Sequence, residues 1–193
     1  MTSNKKVVPN WYSDPTPPGT WRSLFKWGDP ASFKHPNSGL VRLVMDTFNL
    51  TEEQLKQPLD LGLETVDVEM PVKLGTEHIQ AFSAICGEEN VRTDTYTRIK
   101  CSYGYGMIDA LRLRHHIVEN LPDVVVAPRS ADEIQSIITY CDQNIIPVYI
   151  HGAGSTVTRG KEAVKGGISL DMSRHMNRVV SFNETDQTIS VEA

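Results

Sequence analysis

Residues 123–150 read as strand, helix, strand, and that order constrains the fold more than anything else in the chain. "DVVVAP" (123–128) is a short unbroken run of β-branched residues, the pattern of a strand buried on both faces. "SADEIQSIITYCDQN" comes next, with Ser130 and Glu133 at the spacing of a capping box. Ile134, Ile137, Ile138 and Cys141 recur at i, i+3, i+4 and i+7, which predicts one apolar helix face. "IIPVYI" (145–150) is the second strand. A βαβ unit places the loop after its second strand at the carboxyl end of a parallel sheet, where α/β folds bind ligands.

That loop is "HGAGSTVTRG" (151–160), a stretch of small residues and hydroxyls. Successive amides in such a loop can point into one concavity and hold an anion, and glycines permit the positive φ angles this needs. A plain surface turn is the alternative. Two familiar phosphate loops fail on spacing. A Walker A loop needs four residues between its glycines and then Lys-Ser/Thr, but Gly154 is six positions before Gly160, and Lys161 precedes Glu162. The dinucleotide fingerprint G-x-G-x-x-G needs glycine at Val157 and a helix straight after. Here "TRGKEAVKGGISLD" runs through a Gly-Gly turn into a strand. "ISLDM" (168–172) and "RVVSF" (178–182) read as strands, and "NETDQ" is a turn into "TISVEA", a hairpin.

Upstream, residues 1–20 are rich in Pro, Ser and Thr and read as an extended arm. Trp21, Phe25 and Trp27 are spaced to anchor a loop. "GLVRLVMDTFNL" carries Leu40, Leu43, Val44, Thr47 and Phe48 in helical rhythm. A second helix begins at Thr51 as N-cap and stops at Pro58; a third has Thr76 as cap, Ile79, Phe82 and Ile85 inward, and Gly87 as its end. "YGYGMIDALRLRHHIVENLPD" predicts a helix with Ile108, Leu111 and either Leu113 or His115 on one side, closed by Pro122.

The net charge of −5 over 193 residues argues against a nucleic-acid partner. No apolar run reaches the ~20 residues of a membrane span, and no signal peptide is evident. Three widely spaced cysteines, Cys86, Cys101 and Cys141, read as reduced thiols in a cytoplasmic protein. No histidine spacing suggests a metal. The chain stops inside a strand, which predicts that it is part of a longer protein.

"PDVVVAPRSADEI", "IIPVYIHGAGSTVTRG" and "ISLDMSRHMNRV", in this order and at these intervals, resemble the FAD-binding, PCMH-type domain of the vanillyl-alcohol oxidase family. "ICGEENVRTDTYTRIKCSYG" is similar to the segment preceding that domain in glycolate- and D-lactate-oxidising members, so the resemblance covers roughly residues 85–193. "FKWGDP", "DTYTRIKCSYGYGMIDALRLR" and "NLPDVVVAP" look most like the alkylglycerone-phosphate synthase branch. That branch has His-Gly-His where this chain has Tyr103-Gly104-Tyr105.

The resemblance implies an α+β fold: a mostly helical N-terminal segment (1–93), then the first part of the FAD-binding domain (94–193, core 121–193), comprising its first βαβ subdomain and the start of the second. It implies that Gly152, Ala153, Gly154, Ser155 and Thr156 enclose the FAD pyrophosphate, with Val157, Thr158 and Gly160 continuing around it and Pro128 near the nucleotide end. Ser155 stands where some relatives carry a flavin-linking histidine, which implies non-covalent FAD. His151 adjoins the loop as a further candidate, with packing or a backbone hydrogen bond as its other role. Arg159 is either a charge for the pyrophosphate or a solvated arginine, and Asp171 and Asn177 fix turns.

The activity implied is oxidation of a 2-hydroxy acid or related alcohol, a small-molecule substrate, by hydride transfer to FAD. The alternatives are a flavin-dependent, non-redox transferase and a non-catalytic binding module. Most of the family's base and substrate residues lie beyond residue 193, so no catalytic residue is assigned. Were the chain complete, its open strand edge would predict a homodimer or another partner paired through that edge.

Overall fold

The computed structural model describes residues 7, 16–25, 35–56 and 61–192. They divide into two units, Met1–Thr65 and Val66–Ala193.

In the first unit, helix α1 (Trp21–Phe25) buries Trp21 and Leu24. Its start is held by the returning chain: Trp21 N donates to Glu64 O (3.2 Å) and Arg22 N to Gly62 O (2.7 Å). Gly62 has φ +65°, and a Cβ there would sit 2.6 Å from Phe25 Cε1, so the return over the ring requires glycine. The aromatic anchor is thus formed by Trp21 and Phe25, while Trp27, Pro58 and most of residues 1–20 lie outside the described residues. Helix α2 (Ser38–Phe48) starts at Asn37, whose Oδ1 accepts from Leu40 N (2.8 Å), and ends at left-handed Asn49. Its apolar rhythm is real, yet none of its residues is buried. Helix α3 (Glu52–Lys56) has a full capping box. Gln54 N donates to Thr51 Oγ1 (3.3 Å), and Thr51 N donates to Gln54 Oε1 (2.8 Å).

The second unit begins at Val66. Helix α4 (Thr76–Cys86) and strand β1 (Val91–Arg92), which the sequence reading places in the N-terminal segment, pack within it. The N-cap of α4 is Gly75, with Thr76 already helical. Phe82 and Cys86 are fully buried, and Gly87 ends the helix at φ +92°. Helix α5 (Thr95–Ser102) is capped by Asp94, which accepts from Thr97 N (2.9 Å).

Helix α6 (Met107–Arg114) turns a different face inward than its apolar spacing predicts. Ile108 and Leu111 are exposed, and Asp109 and Leu113 are buried. The reason is polar: Asp109 Oδ2 accepts from Gly104 N (3.0 Å) beneath the preceding turn. The helix ends at Arg114, well before Pro122.

Strand β2 (Val124–Val126) is buried on both faces, as an unbroken valine run predicts. It leads through helix α7 (Ala131–Gln143) to strand β3 (Val148–His151) and then strand β4 (Ile168–Asp171). The sheet order is β1-β2-β4-β3, with β1 antiparallel and the rest parallel. Strand β4 therefore lies between the two strands of the βαβ unit. Val126, Leu170 and Ile150 are in register across it. Phe82, Val124, Val126, Ile137, Cys141, Ile168 and Leu170 share one core, each fully buried large apolar side chain contributing about 1.5–3 kcal/mol.

The α7 cap differs in one bond from the expected box. Ser130 Oγ accepts from Glu133 N (3.2 Å), but the Glu133 carboxylate accepts from Arg129 N (2.7 Å) and from the Arg129 guanidinium. Strands β5 (Val179–Asn183) and β6 (Thr188–Val191) form the expected antiparallel hairpin as a separate sheet. Cys86, Cys101 and Cys141 are free and buried. Burial pushes their thiols up to about 11, about 12 and about 11. Among the described residues no helix is long and apolar enough to cross a membrane.

Candidate functional site

Parallel strands β2, β4 and β3 end on one edge of the sheet, and the glycine loop leaves from β3 there. Pro128 is fully buried, two residues past Val126 of β2. Gly152 is two residues past Ile150 of β3, and the shared register puts both at the same level of the sheet. Gly152, Ala153, Ser155, Val157, Thr158 and Gly160 are exposed, and Gly154 and Thr156 half-buried. A Cβ at Gly152 would meet nothing within 4 Å. Among the described residues, the backbone N–H groups of Gly152 to Val157 donate no hydrogen bond. A row of open amide donors on a sheet's carboxyl edge is a site for an anion, so the loop fits a nucleotide diphosphate.

The loop is braced from below. Gly154 has φ +73°, and a Cβ there would lie 2.9 Å from His151 Cε1. His151 is buried at the end of β3. Its carbonyl accepts from Met172 N (2.9 Å), and its Nδ1 is 2.9 Å from Lys161 Nζ. Burial, and then the Lys161 charge, lowers His151 to about 4, so the imidazole is neutral and Nδ1 accepts. Packing and backbone hydrogen bonding therefore describe His151, beneath the loop.

A second brace comes from "YGYG" (103–106). Tyr105 N donates to Thr156 O (2.8 Å). A Cβ on Gly104 would collide with Thr156 O, and one on Gly106 would lie 2.8 Å from Val157 O. Gly104 and Gly106 thus allow direct backbone-on-backbone approach, fixing the curvature of 156–157.

The loop exit is locked by Glu162, which is buried. Its carboxylate accepts from Asn120 Nδ2 (2.9 Å) and Arg159 Nε (2.7 Å), with Arg112 at 3.4 Å. Burial pushes this carboxyl up, but the Asn120 and Arg159 hydrogen bonds and the Arg112 charge outweigh it and hold it below its usual range. Arg112 also pairs with Glu119 and stacks 5.2 Å over the Tyr103 ring. Arg159, read as a phosphate contact or a solvated side chain, is instead engaged by Glu162. Asp171 and Asn177 hold a turn: Asp171 Oδ1 accepts from Ser173 Oγ (2.7 Å), and Asn177 Nδ2 donates to Ser173 O (2.9 Å). His78 faces Tyr140 OH (2.9 Å) and His175 faces Asn90 Oδ1 (2.8 Å), both structural contacts.

The sequence reading misses Gly104, Gly106, Asp109 and Lys161. The alternation of glycine with tyrosine was the available signal for a close backbone approach. Nothing in its spacing distinguishes Lys161 from a solvated lysine.

The model of the FAD binding domain family matches residues 122–193, which span β2 to β6 and contain the whole loop. Those residues are matched as an FAD binding domain. A solved alkyldihydroxyacetonephosphate synthase shares the fold at TM-score 0.62 and 24% identity, over 77% of this chain and 29% of that one. Glycolate oxidase subunit GlcD of Bacillus subtilis is 34% identical over 38% of this chain and 16% of its own length. Alkyldihydroxyacetonephosphate synthase of Dictyostelium discoideum is 24% identical over 100% of this chain and 35% of its own. The chain thus spans about a third or less of these curated relatives. The cofactor of the domain is FAD.

Proposed function

We propose that this chain supplies the FAD site of an oxidoreductase that oxidises a 2-hydroxy acid or a related alcohol, with FAD held non-covalently. The observation that carries the reading is the open row of amides from Gly152 to Val157, a stretch with no charged side chain of its own. Gly152, Ala153, Gly154, Ser155 and Thr156 enclose the pyrophosphate, Val157, Thr158 and Gly160 continue the turn, and Pro128 closes the neighbouring strand end. FAD supplies the electron-accepting chemistry. The chain's residues orient it and exclude water from its buried side. Ser155 offers no imidazole for a covalent link. The likeness to the glycolate oxidase subunit supports the 2-hydroxy acid class.

A transferase reading rests on a separate observation: the alignment to alkyldihydroxyacetonephosphate synthase runs the whole length of this chain. Anaerobic mixing of the flavin-loaded full-length protein with glycolate or D-lactate separates the two. Bleaching of the flavin absorbance is expected for the oxidoreductase. Absence of bleaching with every 2-hydroxy acid tried favours the transferase.

A further inference from the structure

We propose that Lys161, buried directly beneath Gly154, is the counter-charge for the diphosphate of FAD; this rests on the FAD site argued above. The side chain enters under the loop from its exit side. Its Nζ donates to Lys100 O (3.0 Å) and lies 2.9 Å from His151 Nδ1. A Cβ on Gly154 would sit 3.2 Å from that Nζ, so only the glycine backbone separates the ammonium from the exposed side of the loop.

Buried charges in proteins are paired, because desolvating an ion is costly without a partner. Among the described residues Lys161 has no ion pair. The groups facing it are His151, Cys101, Lys100, Asp109 and Asp171. Of the two carboxyl groups, Asp109 turns Oδ2 to Gly104 N and Oδ1 toward Arg112 (3.9 Å) and Arg159 (3.8 Å), and Asp171 is turned to Ser173. Gly154 puts no side chain between the ammonium and the loop, so an anion seated on the open amides approaches Lys161 across that glycine. A doubly negative diphosphate there completes the pairing.

The arrangement has a proton signature. Burial lowers Lys161 to about 8, while His151 and Cys101 stay neutral throughout the range where the lysine titrates. A bound anion favours the ammonium and raises that value, so above pH 8 binding is accompanied by proton uptake. Affinity is therefore level below about pH 7 and falls as pH rises past 8, by about tenfold at pH 9.

The test is a titration of apoprotein from the full-length gene product with FAD, followed by flavin fluorescence at pH 7, 8 and 9 and constant ionic strength. Wild type is expected to weaken about tenfold from pH 7 to pH 9, and Lys161→Met to bind more weakly at pH 7 with no slope. A wild-type affinity that is flat across this range, or a Lys161→Met protein that keeps the slope, overturns the role of Lys161 and leaves the FAD site standing. The wild-type profile decides this even if the variant does not fold. No FAD binding by wild type at pH 7 overturns both.

Discussion

At the scale of single residues, the glycines outside the loop carry as much of the site as those within it. Gly104→Ala pushes a methyl group into Thr156 O, and backbone cannot rotate away as a side chain can. The substitution is expected to cost about 1–3 kcal/mol of stability and to weaken FAD binding, read by denaturant unfolding and flavin titration. Gly152→Ala, whose Cβ meets nothing, is expected to leave stability nearly unchanged. Equal losses at the two positions would contradict the brace. Glu162 makes a prediction about pH. Its carboxyl is held below the usual range in the folded state, so its contribution is complete above the unfolded value and is lost as pH falls through the folded one. Thermal unfolding of Glu162→Gln should therefore lie below wild type at pH 7 and converge with it in acid; parallel curves would contradict this. Of these residues, only the loop glycines were legible in the sequence. Asp109 reads as a solvated helix residue until Gly104 N is seen above it, and Lys161 meets His151 only because the chain turns back beneath β3.

At the scale of elements, legibility followed periodicity and capping. Strand β2, helix α7 and the hairpin β5–β6 were readable because β-branched runs, a 3.6-residue repeat and a turn each act locally. Helix α5 was not, because "TYTRIKCS" has no apolar stripe: it buries Arg98 and Ser102 beside Ile99 and Cys101. Arg98 does so by donating to Pro122 O and Met70 O (2.7 Å each). Strand β1 has only two residues and exists through its pairing with β2. The placement of β4 between β2 and β3 is likewise invisible locally, since adjacency in a parallel sheet is decided by packing. The α7 cap can be tested directly. Ser130→Ala removes the acceptor for Glu133 N and is expected to destabilise by about 0.5–2 kcal/mol. An unchanged unfolding midpoint would show that the Arg129–Glu133 contacts alone hold that end.

At the scale of the whole molecule, stability is unevenly distributed. The second unit has one core, shared by β2, β4, α4 and α7. The hairpin β5–β6 is a two-stranded sheet with Val179, Val180, Phe182, Ile189 and Val191 all exposed. Two strands without a covered face are marginal alone. In the 193-residue chain, amide exchange should accordingly be slowest in β2 and β4 and fast in β5 and β6; equal protection would contradict this division. The loop is carried by the well-packed sheet, which is what a cofactor site needs. The most direct test of the account is the flavin content of the purified full-length protein after acid precipitation. The account predicts a yellow protein that releases FAD, equimolar with chain, into the supernatant and leaves a colourless pellet. A colourless protein that takes up no added FAD would contradict it.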